Sequence, residues 1–413
     1  MKGFLLVSFL TIVSFASSGA LRLSDGFVYG GQPIEEEVPV VEEEVAVDEY
    51  PDSVAFDNPV ALFPDDLDEF YSYAAADTVL RLAVVLSDIY GKKEMEFTRG
   101  LLLGIERAGL PSNSLSLKIV NGEVPADSLL YELDLFGPHV VLTTQDKDCP
   151  RELVAYAKER QAKILNAFDT RSEDFLYNPG IFQLLSPSGN FNSASSAFFT
   201  DNFAGNTLLI VGEPDGTDQI LRDMILAWPE DDLLLVSPED FPSIQLDETA
   251  NYLVYPVAGN SNEVKDILSQ LIVLMSETPL AGIRVVGRPN WIAFTNLPSM
   301  IPNMEVYIPA KCYFDPTSPE GKRFISDFNA KFGHAPIRSY PVYAVMGYDT
   351  AVYFLPRLLE ELKGDSLDLP AANLVQSYFD LSQAGWNAGF YNKGAVMLHF
   401  EPWGSLQKIL ISK

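Results

Sequence analysis

Eight short, continuous apolar runs are the feature that most constrains how this chain folds. Runs that are apolar at every position suit strands buried on both faces, as in a parallel sheet, whereas half-exposed strands alternate. The runs span residues 82–86, 117–120, 140–142, 164–165, 208–211, 233–236, 253–255 and 283–286. Segments with helical spacing lie between them, so the sequence predicts an α/β fold with right-handed crossovers.

Helical periodicity is clearest in three of the intervening segments. Apolar residues recur at helical spacing over residues 97–108, 153–157 and 267–275. A stretch rich in Pro, Gly and Ser at residues 178–190 predicts a crossing between two lobes. The helix that follows is expected to turn Phe191, Ala194, Ala197 and Phe198 inward. Two lobes are also expected because 413 residues exceed what one compact core usually holds.

Residues 1–20 have the pattern of a secretory signal peptide. Lys2 gives a basic start, residues 4–15 are mostly apolar, and small residues precede a cleavage point near Ala20. The alternative is a membrane anchor, but the apolar run is shorter than the ~18–20 residues that a spanning helix needs. The sequence therefore predicts an exported protein, periplasmic or secreted, that does not span a membrane.

An acidic segment follows the predicted signal. Residues 23–80 contain sixteen acidic and no basic residues, a large share of the net charge of −29. Like charges repel and proline blocks regular structure, so residues 21–77 are predicted to form a disordered tether. A docking segment for a basic partner or calcium is the alternative. The overall charge repels phosphate backbones and argues against nucleic-acid binding.

The sequence lacks the recognised motifs of catalysis and cofactor binding. It contains no G-x-S-x-G, G-x-G-x-x-G, Walker loop or HExxH, and its three histidines lack metal-ligand spacing. A hydrolase would need a nucleophile–base pair that the sequence does not single out. We therefore predict a protein that is not an enzyme and has no metal or cofactor. Cys149 and Cys312 are expected to remain separate buried thiols, with a disulfide as the alternative.

Several motifs, in order, carry a resemblance to a known family. They are residues 96–100 at the start of a helix, 135–141 before a strand, 179–188 at the predicted crossing, 287–291 in a turn, and 324–333 with 340–355 in late helices. Over about residues 78–413 the chain resembles type 1 periplasmic solute-binding proteins, the leucine/branched-chain amino-acid-binding family. The 287–291 turn resembles that of a subset, mostly from Bacteroidota, that often carries an added peptidoglycan-binding module. The late helices at 324–333 and 340–355 resemble this subset most closely.

The resemblance implies two Rossmann-like lobes with parallel sheets, joined by a three-strand hinge. It places residues 78–185 and 337–380 in lobe one, and residues 186–336 and 381–413 in lobe two. The implied function is the binding of a small polar solute, amino-acid-like or another metabolite, between lobes that close about the hinge. An ABC-type permease or an envelope protein is the implied partner, and a homodimer is a family-level expectation. The alternative is an envelope structural or interaction protein without a competent ligand cleft.

Candidate ligand-binding residues follow from where ligands bind open α/β sheets, beyond the carboxyl ends of the strands. They are Ser87, Asp88, Thr143, Thr144, Asn166, Asp169, Asp215, Arg288, Asn290 and Trp291. In the family, Ser and Thr side chains at the third and fourth strand ends hold ligand groups, and Thr143 or Thr144 matches that role in type. Each candidate also has a structural alternative. This is helix capping for Ser87, Thr143 and Thr144, turn formation for Asp169 and Asp215, and core packing for Trp291.

Overall fold

The computed structural model describes residues 12–14, 79–146, 149–214, 216–294, 296–301, 303–364, 372–402 and 404–411. Apart from residues 12–14, the predicted signal peptide and tether lie outside these residues, and so does the candidate Asp215. Within the described residues the chain forms two mostly parallel sheets with helices packed on them. The prediction of an α/β fold with two parallel-sheet lobes is therefore confirmed.

The first sheet has eight strands and forms the centre of lobe one. Five of its pairings are parallel, and the two outermost pairings, β1 with β3 and β12 with β13, are antiparallel. In spatial order the strands are β1 (Ile12–Ser14), β3 (Leu115–Asn121), β2 (Leu80–Leu86), β4 (Val140–Thr143), β5 (Lys163–Asn166), β6 (Ile181–Gln183), β13 (Phe390–Asn392) and β12 (Leu381–Gln383).

The second sheet has seven strands and forms the centre of lobe two. Four pairings are parallel, and β14 joins β11 and β15 in antiparallel register. In spatial order the strands are β15 (Leu406–Leu410), β14 (Val396–Phe400), β11 (Val306–Ala310), β10 (Gly282–Val286), β9 (Asn251–Pro256), β7 (Thr207–Val211) and β8 (Leu233–Val236).

Helices cover both sheets and connect most of the parallel strands. They are α1 (Lys92–Arg107), α2 (Ala126–Phe136), α3 (Arg151–Arg160), α4 (Ser188–Asn202), α5 (Gln219–Ala227), α6 (Ser261–Glu277), α7 (Leu297–Met300), α8 (Pro319–Phe332) and α9 (Tyr343–Lys363). Local sequence sets several boundaries. The α8 helix begins after Ser318, whose hydroxyl accepts from the Gly321 amide, and it ends at Gly333, which adopts a positive φ of 79°.

Burial on both faces explains why most of the strand sequences are continuously apolar. Strand β8, at the edge of the second sheet, is an exception because Leu234 and Leu235 are exposed. In β2, Leu82 and Val84 belong to one apolar cluster, while Ala83 and Val85 point to the cluster on the other face. The second sheet repeats this arrangement with two further clusters. All eight predicted runs lie inside observed strands, β2 to β5 and β7 to β10.

The chain crosses between the lobes three times. The crossings are residues 184–187, 311–318 and 393–395, which connect β6 to α4, β11 to α8, and β13 to β14. Two segments that the resemblance assigns to lobe two therefore belong to lobe one. Residues 311–336 contain α8, whose Phe324 and Phe328 pack with Leu103 of α1 in lobe one. Residues 381–392 contain β12 and β13, which pair with the lobe-one sheet through β6.

Helices α1 and α9 of lobe one approach closely enough to exclude side chains at their crossing. A Cβ atom at Gly100 would lie 1.7 Å from the Ala344 carbonyl oxygen, and one at Gly347 would lie 2.0 Å from that of Phe97. Both distances are far inside van der Waals contact. Glycine is therefore required at these two positions by the packing of the helix backbones.

Cys149 and Cys312 are both buried, and no disulfide joins them. Cys149 packs in an apolar cluster of lobe one, whereas Cys312 lies in the second crossing. Burial raises the pKa of the Cys312 thiol to about 12. The expectation of two separate buried thiols is confirmed.

Candidate functional site

The carboxyl ends of the parallel strands in both sheets are directed toward the crossings. Strand β6 ends at Gln183 and β11 ends at Ala310, each directly before a crossing. Strand β13 runs parallel to β6 and ends at Asn392 before the third crossing. Ligands of open α/β sheets bind beyond these strand ends. The hinge region, where the strand ends of both sheets meet the crossings, is therefore the candidate site.

On lobe one, two predicted residues join a buried carboxylate. The Ser87 hydroxyl donates to Glu94 Oε1 at 2.9 Å, and the Ser87 amide donates to Thr144 Oγ1 at 3.0 Å. Glu94 is only 1% exposed and lies in the first turn of α1, where the helix dipole stabilises negative charge. Its Oε2 has no hydrogen-bond partner among the described residues. Sequence inspection missed Glu94 because it resembles an ordinary helix-initiating acid.

A lysine beside this cluster extends the polar surface. Lys93 Nζ lies 2.8 Å from Asp146 and 3.7 Å from Glu94 Oε1, and 5.6 Å from the centre of the Phe168 ring. Burial lowers the pKa of Lys93, but the hydrogen bond to Asp146 and the nearby carboxylates produce a net rise. Lys93 is therefore a fixed positive charge at this strand end.

The residues predicted after β4 and β5 are deeply buried. Thr143 Oγ1 accepts from the Gln145 amide at 3.3 Å. Asp169 Oδ1 accepts from the amides of Arg171 and Ser172, at 2.7 and 3.1 Å. Asp169 thus forms a tight turn, which is the alternative that the sequence left open. Asn166, with 1% exposure, donates from Nδ2 to Asp169 at 3.4 Å.

On lobe two, three side chains converge at the strand ends. Arg288 Nε lies 3.0 Å from Asp218 Oδ2, and the Tyr255 hydroxyl donates to the same oxygen at 2.6 Å. Asp218 also caps α5 by accepting from the Leu221 amide. Arg288 was predicted, but Asp218 and Tyr255 were not. The sequence signal that identifies Asp218 is its position directly before an amphipathic helix, which is typical of an N-cap.

We expect Asp218→Ala to lower the free energy of unfolding by about 2 kcal/mol, because it removes a helix cap and the oxygen that accepts from both Tyr255 and Arg288. Asp218→Asn retains an oxygen for the cap and should lose less. Urea unfolding of both variants measures the difference. If the free energy of unfolding of Asp218→Ala lies within about 0.5 kcal/mol of that of the parent protein, this cluster does not hold the start of α5 in place.

The remaining predicted residues do not converge on this site. Asp88 is exposed and accepts from the Tyr90 amide in a turn, and Asn290 is exposed and donates to the Gly259 carbonyl at 3.3 Å. Trp291 is 0% exposed in the lobe-two core, close against Gly287. The prediction of Trp291 as a ligand-binding residue is therefore corrected. Its ring is enclosed by apolar side chains, so Trp291 packs in the core.

No family model and no curated protein matches the sequence. A branched-chain amino acid ABC transporter protein from Rhodospirillum rubrum is 13% identical, with a TM-score of 0.54, and the match covers 80% of this chain and all of that one. An ABC-type branched-chain amino acid transporter protein from Rhodopseudomonas palustris is 13% identical, with a TM-score of 0.50, and covers 80% and 97%.

LpoA from Haemophilus influenzae also matches, at 14% identity and a TM-score of 0.49. The match covers 84% of this chain, which spans 62% of the length of LpoA. At such identities the similarity to the transporter proteins concerns the fold alone. The chain has the two-lobe α/β fold of type 1 periplasmic binding proteins.

Proposed function

We propose that this chain is a non-enzymatic, exported binding protein that holds a small polar solute between its two lobes by hinge closure. The observation that supports it is the position of polar side chains at facing strand ends. Ser87, Lys93 and Thr144 lie at the carboxyl ends of the lobe-one sheet, and Asp218 and Arg288 lie at those of the lobe-two sheet. Both ends adjoin the three-strand hinge, which suits closure about a ligand.

Export and partnership are part of the same proposal. Cleavage near Ala20 would release the protein into the periplasm or outside the cell, with residues 21–77 as a tether. The proposed partner is an ABC-type permease, in line with the matched transporter proteins, and the proposed assembly is a homodimer. Among the described helices, none has the length and apolar character to cross a membrane.

A solute screen tests the binding function. We expect one class of small polar metabolite to raise the melting temperature by several degrees, since a ligand at 100 times its Kd adds about 2.7 kcal/mol. Small-angle scattering should show a smaller radius of gyration with the same compound. Arg288→Met should weaken the effect, whereas Arg222→Met, an exposed change on α5, should not. A screen without any shift or compaction would contradict the proposal.

One observation favours the alternative of an envelope interaction protein. Thr143, Thr144, Asn166 and Asp169 are each at most 1% exposed. The side chains of Thr143, Thr144 and Asp169 are engaged in hydrogen bonds within the protein, which suits a cleft that has lost its ligand. For that function, scattering would show the same radius of gyration with every solute, and the protein would instead co-purify with an envelope protein through a surface outside the cleft.

A further inference from the structure

Two buried polar atoms near the first crossing lack partners. Ser186 Oγ and Asn166 Oδ1 have no hydrogen-bond partner among the described residues, although the residues are 0% and 1% exposed. They lie near adjacent strand ends. Asn166 is the last residue of β5 and is in register with Gln183 at the end of β6, and Ser186 follows Gln183 in the first crossing. Unpaired buried polar atoms are costly and commonly mark the place of a water, ion or ligand group.

A lysine from the second crossing reaches the same region. Lys311 Nζ donates to Ser188 Oγ at 3.0 Å and lies 5.5 Å from the centre of the Phe191 ring. The Lys311 amide donates to the Tyr340 hydroxyl at 3.1 Å, which fixes the backbone beneath the side chain. The Lys311 amine is therefore held beside the first residue of α4.

The start of α4 offers further donors. Pro187 precedes the helix and provides no side-chain cap. The Ser188 amide donates to the Thr170 carbonyl of lobe one at 2.9 Å. The amides of Gly189 and Asn190 have no acceptor among the described residues. Free amides and the helix dipole at a helix start favour a negative ligand group.

We infer that the carboxylate of the ligand binds at the start of α4, between Lys311 and the Ser186 hydroxyl. The inference rests on the proposed function, and it narrows the solute class to carboxylic acids. The unpaired Asn166 oxygen accepts, so it favours a hydrogen-bond donor, such as a hydroxyl or an amine, next to that carboxylate. The charge-assisted hydrogen bond from Lys311 would account for most of the preference for a carboxylate over a neutral amide as the ligand group.

The charged groups around Lys311 are compatible with an anion. Asp169 and Arg171 act on it from lobe one, with opposite effects, and Cys312 adjoins it in the chain. The Asp169 carboxylate already accepts from two backbone amides, so its charge is partly compensated. Burial lowers the pKa of the Lys311 amine to about 7, so a bound carboxylate would favour its protonated form.

The test uses acetate, the smallest carboxylate probe, with acetamide as its neutral counterpart. In amide NMR spectra of the whole protein at pH 6, acetate should shift the Gly189 and Asn190 signals saturably, with a Kd on the order of 10 mM. Lys311→Met should weaken binding about tenfold or more, whereas Lys265→Met, on the exposed face of α6, should not. Removing a partly desolvated charge should not destabilise the fold.

Ser186→Ala provides a second variant that should fold, because its hydroxyl makes no hydrogen bond within the described residues. It should also weaken acetate binding. In the parent protein, affinity should fall between pH 6 and pH 8.5, as the amine loses its proton, and this dependence should vanish in Lys311→Met. Equal shifts with acetamide, or unchanged binding in both variants, would overturn the inference.

The result separates this inference from the proposed function. A neutral solute that closes the lobes equally in the parent and in Lys311→Met would refute the carboxylate site and leave the binding function standing. Acetate binding that depends on Lys311, with no solute able to close the lobes, would support the site and refute closure.

Discussion

Gly100→Ala is expected to destabilise the protein by about 3 kcal/mol or more, because overpacking a tight helix crossing forces the backbones apart. The new methyl carbon would lie 1.7 Å from the Ala344 carbonyl oxygen. A backbone atom cannot rotate away as the end of a side chain can, so α1 and α9 would have to separate. Urea unfolding followed by circular dichroism measures the loss.

The matched control is Gly385→Ala, in the turn between β12 and β13. No atom lies within 4 Å of the position that its Cβ would occupy. We expect a change within about 0.5 kcal/mol for this variant. Equal stability of Gly100→Ala and the control would show that the two helices do not meet as closely as described.

Asp349→Ala is expected to cost about 3 kcal/mol or more, because it leaves three backbone donors without an acceptor. The Asp349 carboxylate is fully buried in α9 and accepts from the amides of Val375, Gln376 and Ser377, at 2.8, 2.8 and 2.7 Å. These bonds hold the segment that leads from α9 to β12. In the variant, hydrogen exchange at these three amides should be faster than in the parent protein, under conditions in which the rest of the protein stays folded.

The same carboxyl group should make stability depend on pH. Burial raises the pKa of Asp349 to about 6, from 3.8, and its hydrogen bonds oppose this only in part. The folded state therefore holds the proton more tightly than the unfolded state, and this contribution to stability is lost as pH rises from 4 to 6. Relative to Asp349→Asn, the parent should lose on the order of 2 kcal/mol across that range. Parallel pH curves for the two proteins would contradict the raised pKa.

Eight strands, β2 to β5 and β7 to β10, could be predicted from sequence because each contains a continuous apolar run. Strands β12 and β13 could not, since each has only three residues. Strand β13 is placed by pairing with β6, about 200 residues earlier in the chain, and β12 is placed by pairing with β13. Strand β11 contains Pro309, which breaks the usual strand pattern. The resemblance identified the three-crossing topology but placed two of its boundaries in the wrong segments.

The candidate site was predicted less completely than the fold. Residues at strand ends were selected by position alone. The structure places Ser87, Thr144 and Arg288 in polar clusters at those ends, and their role in ligand binding stays a prediction. Position does not reveal burial, so Trp291 was selected although it packs in a core. Lys311 was missed because it lies after a strand that sequence inspection did not identify, and its neighbours come from α4 and lobe one.

The three crossings also determine when each lobe can be completed during synthesis. Strand β13 covers the edge of β6, and β14 covers the edge of β11, yet both come from the final part of the described chain. Until they emerge from the ribosome, each growing sheet carries an open edge that can pair with other chains. A nascent chain halted before residue 390 would therefore expose two aggregation-prone edges at once, and chaperones would have to shield both.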